Sequence, residues 1–160
     1  MKYSYDAEEV RQYLPLDSVL EGLFGVVSRL FGVAVVERAP ADVGAQVWDE
    51  HVRLFELQRD GKPTAYVFLD PFARAAEKRG GAWMDEVCSR SRALAPAASA
   101  VRLPVAHMVC NQSPPVTNAD GSVTPSLMTF DEVETLFHEC GHALQHMLTR
   151  VDEGHVSGIR

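Results

Sequence analysis

Between Thr129 and Leu148 the chain carries a helix whose start and two faces can be read directly from its residues. Thr129 stands where an N-cap residue would, with Glu132 three positions on, so each side chain can bond the other's backbone N–H in a capping box. Met128 and Val133 flank this start in the positions of a hydrophobic staple. The helix is therefore predicted to begin at Phe130. At about 100° per residue, Val133, Leu136, Phe137, Cys140, Leu144, Met147 and Leu148 form one broad apolar stripe, and His138, His142 and His146 fall opposite it. Such a helix must pack on a core by its stripe while presenting imidazoles on the other face.

His138 and His142 lie one turn apart, so both can reach a single ion at the Zn–N distance of about 2.0 to 2.1 Å. Glu139, turned by about 100°, brings its carboxylate beside such an ion and not onto it. The spacing fits one Zn2+ with a general base. Zinc lowers the pKa of bound water from about 15.7 to about 7 and polarises a peptide carbonyl, and Glu139 can take the water's proton. Asp131 and Glu134 are helix-start carboxylates that favour the helix dipole. Cys140 is read as core, not as a ligand. His146 is assigned to the surface or to a supporting place behind the ligands. His51, His107 and His155 have no partner at helical spacing and are read as structural.

The rest of the chain mixes helix and strand signals. Residues 6–13 read as a short helix ended by Pro15. From Pro15 to Phe31, Leu16, Val19, Leu20, Leu23, Val26, Val27 and Leu30 recur at helical steps, and Gly32 closes the pattern. Residues 33–37 form a β-branched run. Residues 52–57 and 65–69, joined by Arg59-Asp60-Gly61-Lys62, read as a β-hairpin. Residues 82–87 and 105–110 are two further strands. Residues 93–100, interrupted by Pro96, and residues 112–126, rich in proline, read as loops.

Composition sets the class and removes several functions. With 46% hydrophobic and 23% charged residues in 160, this is an ordinary globular chain. The net charge of −7 and scattered cations argue against nucleic acid and anionic membranes as partners. No apolar run spans a bilayer, and the start lacks the apolar core of a secretion signal. Cys88, Cys110 and Cys140 are too widely spaced for a zinc knuckle. Their odd number suits a reducing compartment better than a disulfide framework.

The run from Phe130 through His138-Glu139-Cys140-Gly141-His142 to Leu148 closely resembles the zinc helix of the thimet oligopeptidase and oligopeptidase A family, and oligopeptidase A more than thimet oligopeptidase. The likeness extends to Phe68-Leu69-Asp70, Lys78-Arg79-Gly80-Gly81-Ala82-Trp83-Met84, Val109-Cys110-Asn111 and Val156-Ser157-Gly158. The resemblance implies a mostly helical zinc endopeptidase that cleaves short, unfolded peptides in a deep channel, including remnants of targeting peptides. It makes His138 and His142 zinc ligands and Glu139 the catalytic base. Where the family usually has Phe after His-Glu, this chain has Cys140. Gly81-Ala82-Trp83 resembles the sheet edge that pairs with substrate backbone.

The resemblance further implies a third ligand, a glutamate on the next helix, in a segment that would begin within roughly ten residues after Arg160. Residues holding the oxyanion would follow farther on. Glu153 and His155 fit no substitute pattern. Residues 1–160 are thus expected to be a partial catalytic domain, truncated at both ends and inactive alone. The alternatives are a catalytically dead binding or regulatory module with the same fold, and a structural domain in which the motif is accidental. The expected fold is an α+β, zincin-like fragment: an N-terminal helical hairpin, a small twisted sheet and the histidine-bearing helix packed on it. Short peptides are the expected partners, in cytoplasm or an organelle stroma or matrix; no oligomeric state is read from the sequence.

Overall fold

The computed structural model describes residues 6–159, so the amino-terminal stretch read for a secretion signal falls largely outside it. The chain begins with α1 (Ala7–Arg11), capped by the Asp6 carboxylate, and α2 (Leu16–Phe31). The strands β1 (Ala34–Arg38), β2 (Arg53–Arg59), β3 (Lys62–Phe72), β4 (Trp83–Cys88) and β5 (Val105–Gln112) follow. A small hairpin, β6 (Val116–Thr117) and β7 (Val123–Thr124), precedes α3 (Phe130–Met147). All five strand segments read from the sequence form one sheet in the order β1-β2-β3-β5-β4, antiparallel except between β3 and β5. The fold is α+β, as expected.

Alternation along the strands assigns the two faces. Phe55 and Leu57, Ala65, Val67 and Leu69, and Ala106, Met108 and Cys110 enter one core with Leu16, Leu20, Leu23 and Val27 of α2 and Leu136, Cys140, Ala143 and Met147 of α3. Both long helices therefore lie on the same face. Each fully buried aliphatic side chain among them stabilises the fold by about 1.5–3 kcal/mol.

The structure departs from three expectations. The N-terminal helical hairpin is instead a five-residue α1 that leans on the start of α3, where Arg11 Nε donates to the Leu127 carbonyl. The segment 112–126 is not a plain loop, because Asn118, Asp120 and Ser122 bond one another and close the β6–β7 turn. Most consequentially, α3 is rotated from its sequence stripe. It buries Leu136, Glu139, Cys140, Ala143, His146 and Met147, while Phe137 is 40% exposed. The helix turns its polar border toward β4 because a backbone partner waits there. His146, expected at the surface or in a supporting place behind the ligands, is fully buried, and its Nε2 lies 3.0 Å from the Cys88 carbonyl. A carbonyl only accepts, so Nε2 carries the proton.

The Ser157–Gly158 turn covers that imidazole. Gly158 has φ +73°, and a Cβ there would stand 2.4 Å from His146 Nδ1. The Gly158 carbonyl accepts from Gln145 Nε2 at 2.6 Å, pinning the turn to α3. We expect Gly158→Ala to cost about 2–4 kcal/mol through backbone strain and overpacking. Gly154→Ala, whose Cβ meets only Ser89 Oγ at 3.4 Å, should change stability by under about 1 kcal/mol. Urea denaturation of the two variants checks this, and equal costs would refute it.

On the opposite face of the sheet the polar hub is Asp70, 2% exposed. Its carboxylate accepts two bonds from Arg74 at 2.8 and 2.7 Å, one from Trp48 Nε1 at 2.9 Å and one from Lys78 Nζ at 2.9 Å. Burial alone would raise its pKa, but the bonds from Arg74, Trp48 and Lys78 outweigh burial and hold it at about 2. The folded value lies below the ordinary 3.8. Its stabilisation is therefore complete above that range and is lost as pH falls toward 2. Asp70→Asn should cost about 3 kcal/mol at neutral pH by leaving Lys78 and Arg74 without their counter-charge. It should also flatten the acid limb of stability measured by urea titration between pH 5 and 2; an unchanged acid limb would exclude Asp70 as its source.

Candidate functional site

The capping box that starts α3 is formed: the Glu132 N–H donates to Thr129 Oγ1 at 3.2 Å, and the Thr129 N–H donates to the Glu132 carboxylate at 2.7 Å. That start sets the axial level of His138, Glu139 and His142, and the burial of His146 sets their rotation. Around the helix, His142 and His138 come next after His146 on the side that meets β4, and both are exposed. Their Nε2 atoms are 3.1 Å apart, with the rings edge-on at 4.8 Å between centroids. Glu139, 9% exposed, lies between this pair and the core. Its charge reaches the thiol of Cys110, which burial pushes up to about 12, with Glu139 adding to the rise and Lys78 opposing it.

Opposite the histidines runs a free sheet edge. β4 is the last strand in the order and, among the described residues, pairs only with β5. Of the residues singled out for substrate contact, Trp83 is the first residue of β4, while Gly81 and Ala82 lead into it. This approach is held from two sides. Lys78 Nζ donates to the Asp70 carboxylate and to the carbonyls of Asp70 and Phe72, tying the 73–82 segment to the end of β3. Asn111 Nδ2 donates to the Arg79 carbonyl at 2.9 Å and also to the Gly81 carbonyl. Gly81 takes φ +91°, which a side chain would strain. Arg79 lies over the Trp83 ring at 4.4 Å, on the face away from α3.

The donor set can be tested against a zinc ion. Two nitrogens bound at about 2.0–2.1 Å to a tetrahedral ion stand roughly 3.3–3.4 Å apart, close to the 3.1 Å between His138 and His142. The pair fits two ligand positions. Among the described residues no third His, Cys, Asp or Glu joins them, Glu153 and His155 included. Cys140 is buried, and burial raises its thiol to about 11. Cys88, Cys110 and Cys140 are all free thiols. His51 bonds Asp49 at 3.1 Å, and His107 meets Trp48 edge-on at 5.1 Å on the far face of the sheet. Neither approaches α3's exposed histidines.

Between Gly81–Ala82 and the first turns of α3 lies an open pocket that the sequence reading did not find, lined also by Gln112, Glu132 and Thr135. No periodic pattern links those positions, since they converge through the β5 register and the helix start. Asn111, by contrast, was flagged only by family likeness, and its clamp on Arg79 and Gly81 now has a physical reason.

Comparison with known proteins places these features in a family. The model of Peptidase family M3 matches residues 1–160. The chain is 56% identical to organellar oligopeptidase A, chloroplastic/mitochondrial, of Arabidopsis thaliana, over 99% of this chain and 19% of that protein. It is 57% identical to a probable cytosolic oligopeptidase A of the same plant, over 99% of this chain and 22% of the relative. It is 42% identical to oligopeptidase A of Escherichia coli, over 98% of this chain and 21% of the relative. The chain thus spans about a fifth of the length of these curated relatives. The match over its whole length shows that the chain belongs to peptidase family M3.

Proposed function

We propose that this chain provides the zinc-binding histidines and the general base of a metalloendopeptidase that hydrolyses short, unfolded peptides. The observation that carries the reading is the pair of exposed imidazoles, Nε2 atoms 3.1 Å apart, on the helix that packs against β4, with Glu139 next to them in the helix. His138 and His142 would hold one Zn2+ through Nε2. A catalytic zinc site takes a third protein ligand, which would have to come from outside the described residues. When bound, zinc supplies an acidified water and a polarised peptide carbonyl.

The remaining work belongs to the chain's own residues. Glu139 takes the proton from the attacking water and later delivers it to the leaving amine; its partial burial strengthens that electrostatic role. An extended peptide adds to the edge of β4 by main-chain hydrogen bonds, which suits unfolded segments and is insensitive to most side chains. Gly81 and Ala82 leave room for its backbone to approach. The cation hub at Asp70 and the Asn111 clamp hold that edge at a fixed height against α3.

The relatives' names include a chloroplastic or mitochondrial and a cytosolic oligopeptidase. No helix among the described residues is long and apolar enough to cross a membrane. We place this chain's activity in the cytoplasm or an organelle matrix or stroma.

Zinc titration by competition with a chromophoric chelator checks the site. His142→Ala should weaken binding at least tenfold, because one of two donors is lost. Glu139→Gln should leave zinc affinity within about threefold. Where peptide cleavage is measurable, it should lower kcat by about 10²–10⁴. Zinc affinity indifferent to His142 would sink the proposal.

A further inference from the structure

The pocket beside the β4 approach carries chemistry that peptide-bond hydrolysis does not use. It opens between Gly81–Ala82 and the α3 residues Glu132 and Thr135, with a volume of about 290 Å³, and its inner wall is Gln112 at the end of β5. Gln112 is 3% exposed, yet its Oε1 is buried without any hydrogen-bond partner. A buried amide acceptor left unpaired is costly, and such atoms call for a ligand donor. The other polar groups lining the pocket are acceptor-rich. Glu132 uses Oε2 for the capping box and has a second oxygen outside it. Thr135 spends its hydroxyl proton on the Asp131 carbonyl at 2.8 Å, which leaves the oxygen only lone pairs to offer. No basic side chain lines the pocket. Lys78, whose charge reaches neighbouring Cys110, is bound to Asp70.

We propose that this pocket is a side-chain subsite for a basic residue, Lys or Arg, of the bound peptide. The proposal rests on the peptidase reading for the placement of the peptide backbone along Gly81–Ala82. A side chain leaving that backbone toward α3 enters the pocket directly. A long cationic side chain meets the Gln112 oxygen at the back and the Glu132 carboxylate at the side, in charge-assisted hydrogen bonds that an apolar side chain cannot make. The subsite selects peptides; it takes no part in bond cleavage.

The test is binding, so that it stands apart from catalysis. Dye-labelled hexapeptides that differ at one position, Arg, citrulline or norleucine, are titrated into the full chain with and without Zn2+, by fluorescence anisotropy. The side-chain NH2 signals of 15N-labelled Gln112 are followed in parallel. The Arg peptide is expected to bind at least tenfold more tightly than the norleucine peptide, with citrulline between. The Gln112 signals should move only with the first two. Gln112→Leu should erase most of the preference, and Gln112→Glu should enlarge it. Equal affinities for Arg and norleucine, or a preference that survives Gln112→Leu, would overturn the subsite. Should Gln112→Leu fail to fold, the wild-type comparison and the Gln112 signals decide alone. Histidine-dependent zinc binding with no Arg preference removes only the subsite; zinc binding indifferent to His142 removes the peptidase reading instead.

Discussion

The hydrogen bond between His146 Nε2 and the Cys88 carbonyl decides which way α3 faces. A buried imidazole without a partner would cost the fold several kcal/mol, so the helix adopts the rotation in which that partner is met. The consequence is felt one and two turns earlier. Rotated this way, α3 leaves His142 and His138 exposed on the flank next to His146 and buries Glu139 at the border. Had the helix docked by the apolar stripe of its sequence, Phe137 would have entered the core and the histidines would have turned away from the sheet edge. Gly158 is part of the same constraint, because only a residue without Cβ lets the chain close over the ring.

The other half of the cleft depends on a second buried polar group. Asp70 ends the regular part of β3, where Pro71 falls within a register shift against β5. Its oxygens gather Trp48, Arg74 and Lys78, and Lys78 in turn draws in the segment that leads to β4. Asn111 completes the link from β5. Edge strand and helix are thus each aligned by a polar contact with one end in the sheet, while the apolar core between them supplies most of the stability. This division is physically sensible, since dispersion and burial are non-directional and hydrogen bonds are not.

How far the sequence speaks follows from the range of each signal. Local signals were legible: the capping box at Thr129 and Glu132, the Asp60-Gly61 turn, and the α2 stripe ended by Gly32, apart from Val26 and Leu30, which the stripe included and the structure exposes, each involve residues within a few positions of one another. All five strands could be placed, but their order could not, because the parallel β3–β5 pairing brings together residues such as Phe68 and His107 that no spacing connects. The burial of His146 was out of reach for the same reason. A helical wheel sees only its own helix, and the carbonyl that makes burial of a polar ring acceptable comes from 58 residues away. Gln112 escaped notice because its meaning lies in an unpaired atom, which exists only once the neighbours are assembled.

The cysteine inside the motif is withheld from the proposed zinc site. Cys140 sits two residues after His138, and a thiolate would be a stronger zinc ligand than a second imidazole. Two effects exclude it. It projects into the α2–sheet core, away from the exposed histidines, and burial holds its thiol near 11, so the thiolate needed for coordination is scarce at neutral pH. Cys110, pushed up to about 12, is withheld in the same way. The donors that remain are the exposed imidazoles of His138 and His142 and, at their border with the core, the carboxylate of Glu139. That set suits the proposed hydrolytic chemistry, because it would leave a bound zinc ion more electron-poor than thiolates would and so better able to acidify water.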